Sequence, residues 1–86
     1  MTWSEELKAA VKRDPRKWEV RQADGDEFAA LNQNGSTVEL TFDGDRVVAA
    51  DGISVDTGDS CELDWEFPGA PSAQAADEFI RHFSDW

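Results

Sequence analysis

The segment from residue 37 to residue 50 has the sequence TVELTFDGDRVVAA. In its first half apolar side chains alternate with polar or charged ones, as in a strand that buries one face; the apolar ones are Val38, Leu40 and Phe42. Residues 43–45 (DGD) follow, and aspartate and glycine tolerate the backbone angles of tight turns. The segment therefore predicts a β-hairpin whose second strand covers residues 46–50.

Strand patterns continue on the N-terminal side of this hairpin. Residues 18–22 alternate in the same way. Residues 27–33 (EFAALNQ) fit a helical turn almost as well as a strand. We favour a strand there, because Asn34-Gly35 behind it is a strong signal for a hairpin turn.

Strand patterns also continue on the C-terminal side. Asp51-Gly52 predicts another turn, which leads into a short strand over residues 53–55. Residues 61–67 (CELDWEF) have the most regular alternation in the chain. The apolar side of this last strand consists of Cys61, Leu63, Trp65 and Phe67.

Two amphipathic helices are predicted, one before and one after the strands. Thr2 and Glu5 have the T-x-x-E spacing of a capping box. The first helix is expected to end at Asp14, because the proline that follows disfavours helical backbone in the preceding residue. The apolar stripes are Trp3, Leu7, Ala10 and Val11 in the first helix, and Ala76, Phe79, Ile80 and Phe83 in the second.

These elements predict the fold. Short strands joined by tight turns form an antiparallel meander, since parallel strands need much longer connections. Both helices must bury their apolar stripes, and one face of the sheet is polar. We therefore predict an α+β fold, in which an antiparallel β-meander of four to five strands carries the N- and C-terminal helices on one face, in two layers. With 86 residues, the chain is expected to be a single acidic domain over residues 1–86.

The composition is strongly acidic, with 8 Lys and Arg against 19 Asp and Glu, which gives a net charge of −11. Six of the basic residues lie within residues 8–21, whereas residues 22–86 contain two basic and fifteen acidic residues. A field of this sign repels nucleic acid. Abundant Asp with scarce Lys and Ile is also typical of organisms that hold molar salt in the cytoplasm, where salt screens repulsion between carboxylates. The acidity therefore has two open explanations, habitat and function.

The sequence gives no indication of catalysis, and we expect no enzyme, cofactor or metal site. His82 is the only histidine, and we expect it to be solvated near a helix C-terminus, where a cation is favourable. Cys61 has no disulfide partner and is expected to be inert in the core. The Asp-Gly segments match only fragments of a calcium loop, and turn chemistry explains them. No membrane span or leader is visible, so a cytoplasmic location is expected.

The preferred hypothesis is a small non-catalytic protein-interaction or regulatory domain, which binds another protein or a second copy of itself. Four tryptophans are more than so small a core readily hides, and tryptophan is enriched at binding hot spots. Partly exposed tryptophans are therefore the candidate binding residues. They are Trp3, Trp65 and Trp86.

Two other hypotheses use different features. A DNA-mimic inhibitor would use a row of carboxylates in place of phosphates. A small enzyme or ligand carrier would need a deep polar pocket.

A basic patch is the one feature of the sequence that suits binding of nucleic acid. We favour a role for this patch in neutralising the acidic rim of the sheet. We expect neither direct nucleic-acid binding nor membrane binding. The acidic face is Glu39, Asp59, Glu62, Asp64 and Glu66, and the basic patch is Lys8, Lys12, Arg16 and Lys17.

Overall fold

The computed structural model describes residues 2–86, which form two helices and five strands. In chain order these are α1 (Trp3–Arg13), β1 (Glu19–Asp24), β2 (Glu27–Leu31), β3 (Thr37–Asp43), β4 (Arg46–Ile53), β5 (Ser60–Glu62) and α2 (Ala73–Phe83). The strands form one antiparallel sheet in the order β1-β2-β3-β4-β5. The predicted α+β meander with a helix at each end is confirmed.

Helix α1 begins and ends as its sequence predicts. The Thr2 hydroxyl accepts a hydrogen bond from the backbone N–H of Glu5 at 3.2 Å and donates one to the Glu5 carboxylate at 3.0 Å. Asp14 has extended backbone (φ −72°, ψ 130°), the conformation that a following proline favours. Ser72 caps α2 by accepting a hydrogen bond from the N–H of Ala75.

The core lies between the helices and one face of the sheet. Along β3, Leu40 is buried, whereas its neighbours Glu39 and Thr41 are exposed on the opposite face. The helices contact each other and cover the buried face, so the molecule has two layers. The core side chains are those of Trp3, Leu7, Ala10, Val11, Phe28, Ala30, Val38, Leu40, Phe42, Leu63, Ala76, Phe79, Ile80 and Phe83.

The structure resolves one ambiguity in the sequence and corrects the turn predicted at Asp51-Gly52, together with the separate strand predicted over residues 53–55. Residues 27–31 form strand β2, as favoured above. The turn predicted at Asp51-Gly52 is wrong, because β4 continues through both residues. Gly52 is needed for close packing: a Cβ atom there would lie 2.5 Å from Cη2 of Trp86 and 2.8 Å from Cδ2 of Leu63.

The strand predicted over residues 61–67 is mostly wrong. Pairing with β4 ends at β5, and the hydrogen bond from the N–H of Leu63 to the carbonyl of Ala50 (2.9 Å) is the last backbone contact with it. Beyond this point the chain leaves the sheet, and Phe67 packs 5.6 Å from Trp3 and 5.3 Å from Phe79, between ring centroids. The alternation thus predicted the burial of Leu63 and the partial burial of Trp65 and Phe67 correctly, but it did not predict that strand pairing ends.

Cys61 is exposed, so its predicted place in the core is also wrong. It lies opposite Gly52 on β5, the last strand of the sheet. The ring of Trp86 covers Gly52, and Cys61 lies farther out along the same row. The Trp86 ring therefore covers the sheet as far as β4, and the thiol of Cys61 on β5 is exposed.

Replacing Gly52→Ala is expected to lower the free energy of unfolding by about 1–3 kcal/mol, because the added methyl overlaps Trp86 and Leu63. Urea denaturation followed by circular dichroism measures this change. Gly69→Ala is the matched control, since no atom lies within 4 Å of a Cβ placed there. Equal stability of the two variants would contradict the packing described here.

Candidate functional site

The three predicted tryptophan sites differ in exposure. Trp3 is 1% exposed, and its indole N–H donates to the carbonyl of Asp45 at 2.8 Å. Its predicted partial exposure is therefore wrong: as the first residue of α1 it points into the core, where it meets Phe67. Trp65 and Trp86 are half-buried.

Trp86 is held in place by a buried polar cluster. The side-chain amide of Asn32 donates to the carbonyls of Phe83 (2.8 Å) and Trp86 (3.1 Å). The hydroxyl of Ser36 also donates to the Trp86 carbonyl, and it accepts from the N–H of Val55, both at 3.1 Å. With its ring over Gly52, Trp86 joins the end of α2 to the sheet, which is a packing role.

Trp65 lies at the margin of the core with one side accessible. Its ring meets those of Phe79 and Phe83 at centroid distances of 6.2 and 5.8 Å. His82, exposed in the last turn of α2 as its position predicts, packs against Trp65 with ring centroids 4.6 Å apart and ring planes tilted by 39°. Sequence reasoning missed this contact, because no local pattern relates residue 65 to residue 82.

A groove of about 300 Å³ lies beside Trp65, between the outer edge of β4 and the segment that leaves the sheet. Within residues 2–86, no strand pairs with residues 46–50 on this side, because β5 pairs only with residues 51–53. An unpaired edge offers backbone N–H and C=O groups to another chain. The groove is lined by Arg46, Val47, Trp65, Phe67, Pro68 and Gly69.

Three carboxylates form a row on the sheet face that no helix covers. In the register of the sheet, Glu39 of β3 lies opposite Asp51 of β4, and Asp51 lies opposite Glu62 of β5. Adjacent strands are about 4.8 Å apart, so these side chains are near neighbours. Sequence reasoning missed Asp51, because it was assigned to a turn and the register of distant strands has no local signal.

The other members of the predicted acidic face do not join this row. Asp64 and Glu66 are exposed on the segment beyond β5, and Asp59 lies in the loop before it. Other exposed carboxylates lie on the helices and in the turns at both ends of the sheet. The acidity therefore covers much of the surface and does not form a single band. These additional carboxylates include Glu5, Asp26, Asp43, Asp45, Asp56 and Glu78.

The basic patch is only partly engaged inside the molecule. Arg16 pairs with Asp14 at 3.0 Å and with Asp85 at 3.4 Å, so it ties the loop after α1 to the segment after α2. Arg16 therefore does not neutralise the acidic rim of the sheet. Lys8, Lys12 and Lys17 are exposed, and within residues 2–86 none of the three forms an ion pair.

Asp14 is the charged centre of this loop, and its side chain is 1% exposed. Burial by itself would raise the pKa of Asp14. Hydrogen bonds from the backbone N–H of Arg16, the indole of Trp18 and the Arg16 guanidinium, together with the charge of Arg16, outweigh this effect. The pKa of Asp14 is therefore lowered from its ordinary value, and its ionised form stabilises the fold.

Neither His82 nor Cys61 lines any of the three surface depressions described next. Three surface depressions measure about 170, 260 and 300 Å³, at or below the lower end of the range for small-molecule sites. In the described part of the chain, no three His, Cys, Asp or Glu side chains are grouped to hold a metal ion. No helix among residues 2–86 has the length and apolar character that crossing a membrane requires.

Comparisons of the chain with models of protein families, with curated proteins and with solved structures find no match. Function is therefore inferred from the surface itself. Two surface features are candidates for binding a partner: the groove between β4 and Trp65, and the carboxylates around it.

Replacing Asp14→Asn is expected to lower the free energy of unfolding at pH 7. Both carboxylate oxygens of Asp14 accept hydrogen bonds, whereas an amide is uncharged and has a single acceptor oxygen. The pKa of Asp14 is lower in the folded than in the unfolded state, where it is about 3.9. Ionised Asp14 therefore stabilises the folded state at pH values above about 3.9, and this contribution is lost as the pH falls through the folded-state pKa. The stability difference from the parent should therefore shrink below about pH 4. Urea denaturation from pH 2 to 7 measures it, with exposed Asp64→Asn as the control. A difference that does not vary with pH would contradict this role.

Proposed function

We propose that this chain is a small non-catalytic protein-interaction domain, which binds a protein partner through the groove between β4 and Trp65. One observation carries the proposal: the unpaired edge of β4 borders a half-exposed aromatic side chain. Tryptophan is enriched where interfaces contribute most binding free energy. A partner seated there would cover both the backbone groups and the indole.

The two edges of the sheet support this choice of site. The outer strand β1 carries Glu19 and Arg21, which pair at 2.9 Å, and it has a bulge between Val20 and Gln22. Charges and bulges are the usual protection of an edge strand. Residues 47–49 of β4 are all apolar, and their bulge leaves Val48 53% exposed. Both edges therefore have a bulge, but residues 47–49 of β4 lack the charged side chains that protect β1.

The charge of the molecule favours a partner of opposite sign over a second copy. Two copies would each bring a net charge of −11 to the interface. Molar salt would screen this repulsion, so the preference for an opposite charge holds at ordinary ionic strength. Adaptation to a high-salt cytoplasm is the other explanation of the acidity, and carboxylates over much of the surface fit it. A cytoplasmic location is also supported by Cys61, an exposed thiol without a disulfide partner.

A DNA-mimic inhibitor remains the second candidate, and the row of Glu39, Asp51 and Glu62 is the observation that favours it. Mimicry needs carboxylates along one curved band, whereas many others lie on the helices and at both ends of the sheet. We therefore rank it below the interaction domain. The small volumes of the three depressions place an enzyme or ligand carrier lower still.

Photo-crosslinking from Val48 tests the proposal. With p-benzoylphenylalanine at residue 48, cells that naturally produce the chain should yield a discrete crosslinked product with one partner protein. The matched control places the same group at Val55, which is 50% exposed in the loop after β4 and away from the groove. Trp65→Ala should reduce the yield at residue 48 at least about tenfold, the equivalent of losing a modest hot spot. No product from residue 48, or the same products from residue 55, would contradict it.

A further inference from the structure

We infer that the groove accepts an extended, basic segment of the partner protein, which adds to the sheet as a strand beside β4. This inference rests on the proposed function and specifies the partner's chemistry. The open edge covers residues 46–50, except for the carbonyl of Ala50, which accepts from Leu63. These five residues span about 17 Å at roughly 3.4 Å per residue. A segment of five to seven residues in extended conformation is the occupant that fits such an edge.

The protein's own chain occupies only one end of this edge. Residues 60–62 pair with residues 51–53, and the hydrogen bond from Leu63 to Ala50 ends the contact. The next apolar side chains, Trp65 and Phe67, are held in the core margin by Phe79. The segment that follows β5 is therefore unable to continue along β4, and the vacant length suits a strand from another molecule.

The side chains of an added strand would meet two different environments. Successive residues of a strand point to opposite faces. One face meets the groove, whose apolar walls include Val47, Trp65 and Phe67. The other face meets the helix-free side of the sheet, where Asp51 lies at the end of the open stretch. Apolar residues alternating with Lys or Arg match this arrangement.

Charge around the groove selects a basic segment. Four exposed carboxylates border the open edge and the segment that leaves the sheet, whereas Arg46 is the single basic side chain in the lining of the groove. Opposite charge across an interface speeds encounter and suppresses partners of the wrong sign. A second copy of this chain would bring the same excess of carboxylates. The four are Asp43, Asp45, Asp64 and Glu66.

The test uses the full chain, labelled with ¹⁵N, and a synthetic peptide with the sequence Lys-Val-Lys-Val-Lys-Val-Lys, blocked at both ends. Amides of residues 46–50 that exchange rapidly in the free protein should become protected at least about tenfold on peptide addition. The indole N–H resonance of Trp65 should shift with the same binding curve. Two control peptides should give no such protection: one with proline at the central valine, which removes a backbone donor, and one with Glu in place of Lys.

Two matched variants test whether the peptide binds at the open edge of β4. Val48→Arg should weaken binding at least about tenfold, because it sets a like charge beside the basic strand. Val55→Arg makes the same change at a similarly exposed position away from the open edge of β4 and should bind as the parent does. Circular dichroism checks that both variants are folded.

The possible outcomes separate the two proposals. Equal binding of the proline peptide, or shifts spread over the acidic surface without protection at residues 46–50, would overturn strand addition. Protection of residues 46–50 in the free protein that depends on protein concentration would assign the edge to a second copy and would also overturn it. If strand addition fails while crosslinking from Val48 succeeds, the interaction domain stands. If both fail, the proposed function falls with it.

Discussion

The contact of the Phe67 ring with Trp3 and Phe79 closes one side of the core, and the rest of the structure depends on it. These three rings come from α1, from α2 and from the segment between β5 and α2. In a chain of 86 residues, each buried aromatic side chain removes on the order of 150–250 Å² from water and is hard to replace. The segment after β5 therefore follows the core margin, although its alternating sequence would suit a strand.

This constraint gives the sheet two unlike edges. Strand β1 is protected by charged side chains, whereas β4, which like β1 has a bulge, is covered by β5 only along residues 51–53. The open stretch of β4 and the indole of Trp65 then form the two walls of one groove. The departure of the chain from the sheet thus completes the core and also creates the surface for which we propose a function.

Local patterns predicted the elements whose ends are set by their own residues. The capping box at Thr2 and the alternation of β3 are examples, because capping and burial on one face act within a few residues. Prediction failed where one pattern serves two physical causes: Gly52 suits a turn as well as close packing, and the alternation after Cys61 suits core cover as well as pairing. The groove depends on contacts between distant residues, so the sequence alone named only Trp65 among its walls.

Nuclear Overhauser effects between backbone protons of the free protein test most directly whether the chain leaves the sheet after β5. We expect strong contacts between the α-protons or amides of residues 51–53 and residues 60–62, and aromatic contacts of Phe67 with Trp3 and Phe79. Between residues 46–49 and residues 64–67 we expect no contacts of the kind that paired strands give. Regular cross-strand contacts there, with residue 48 opposite residue 65, would show that β5 continues along β4 and that the groove does not exist.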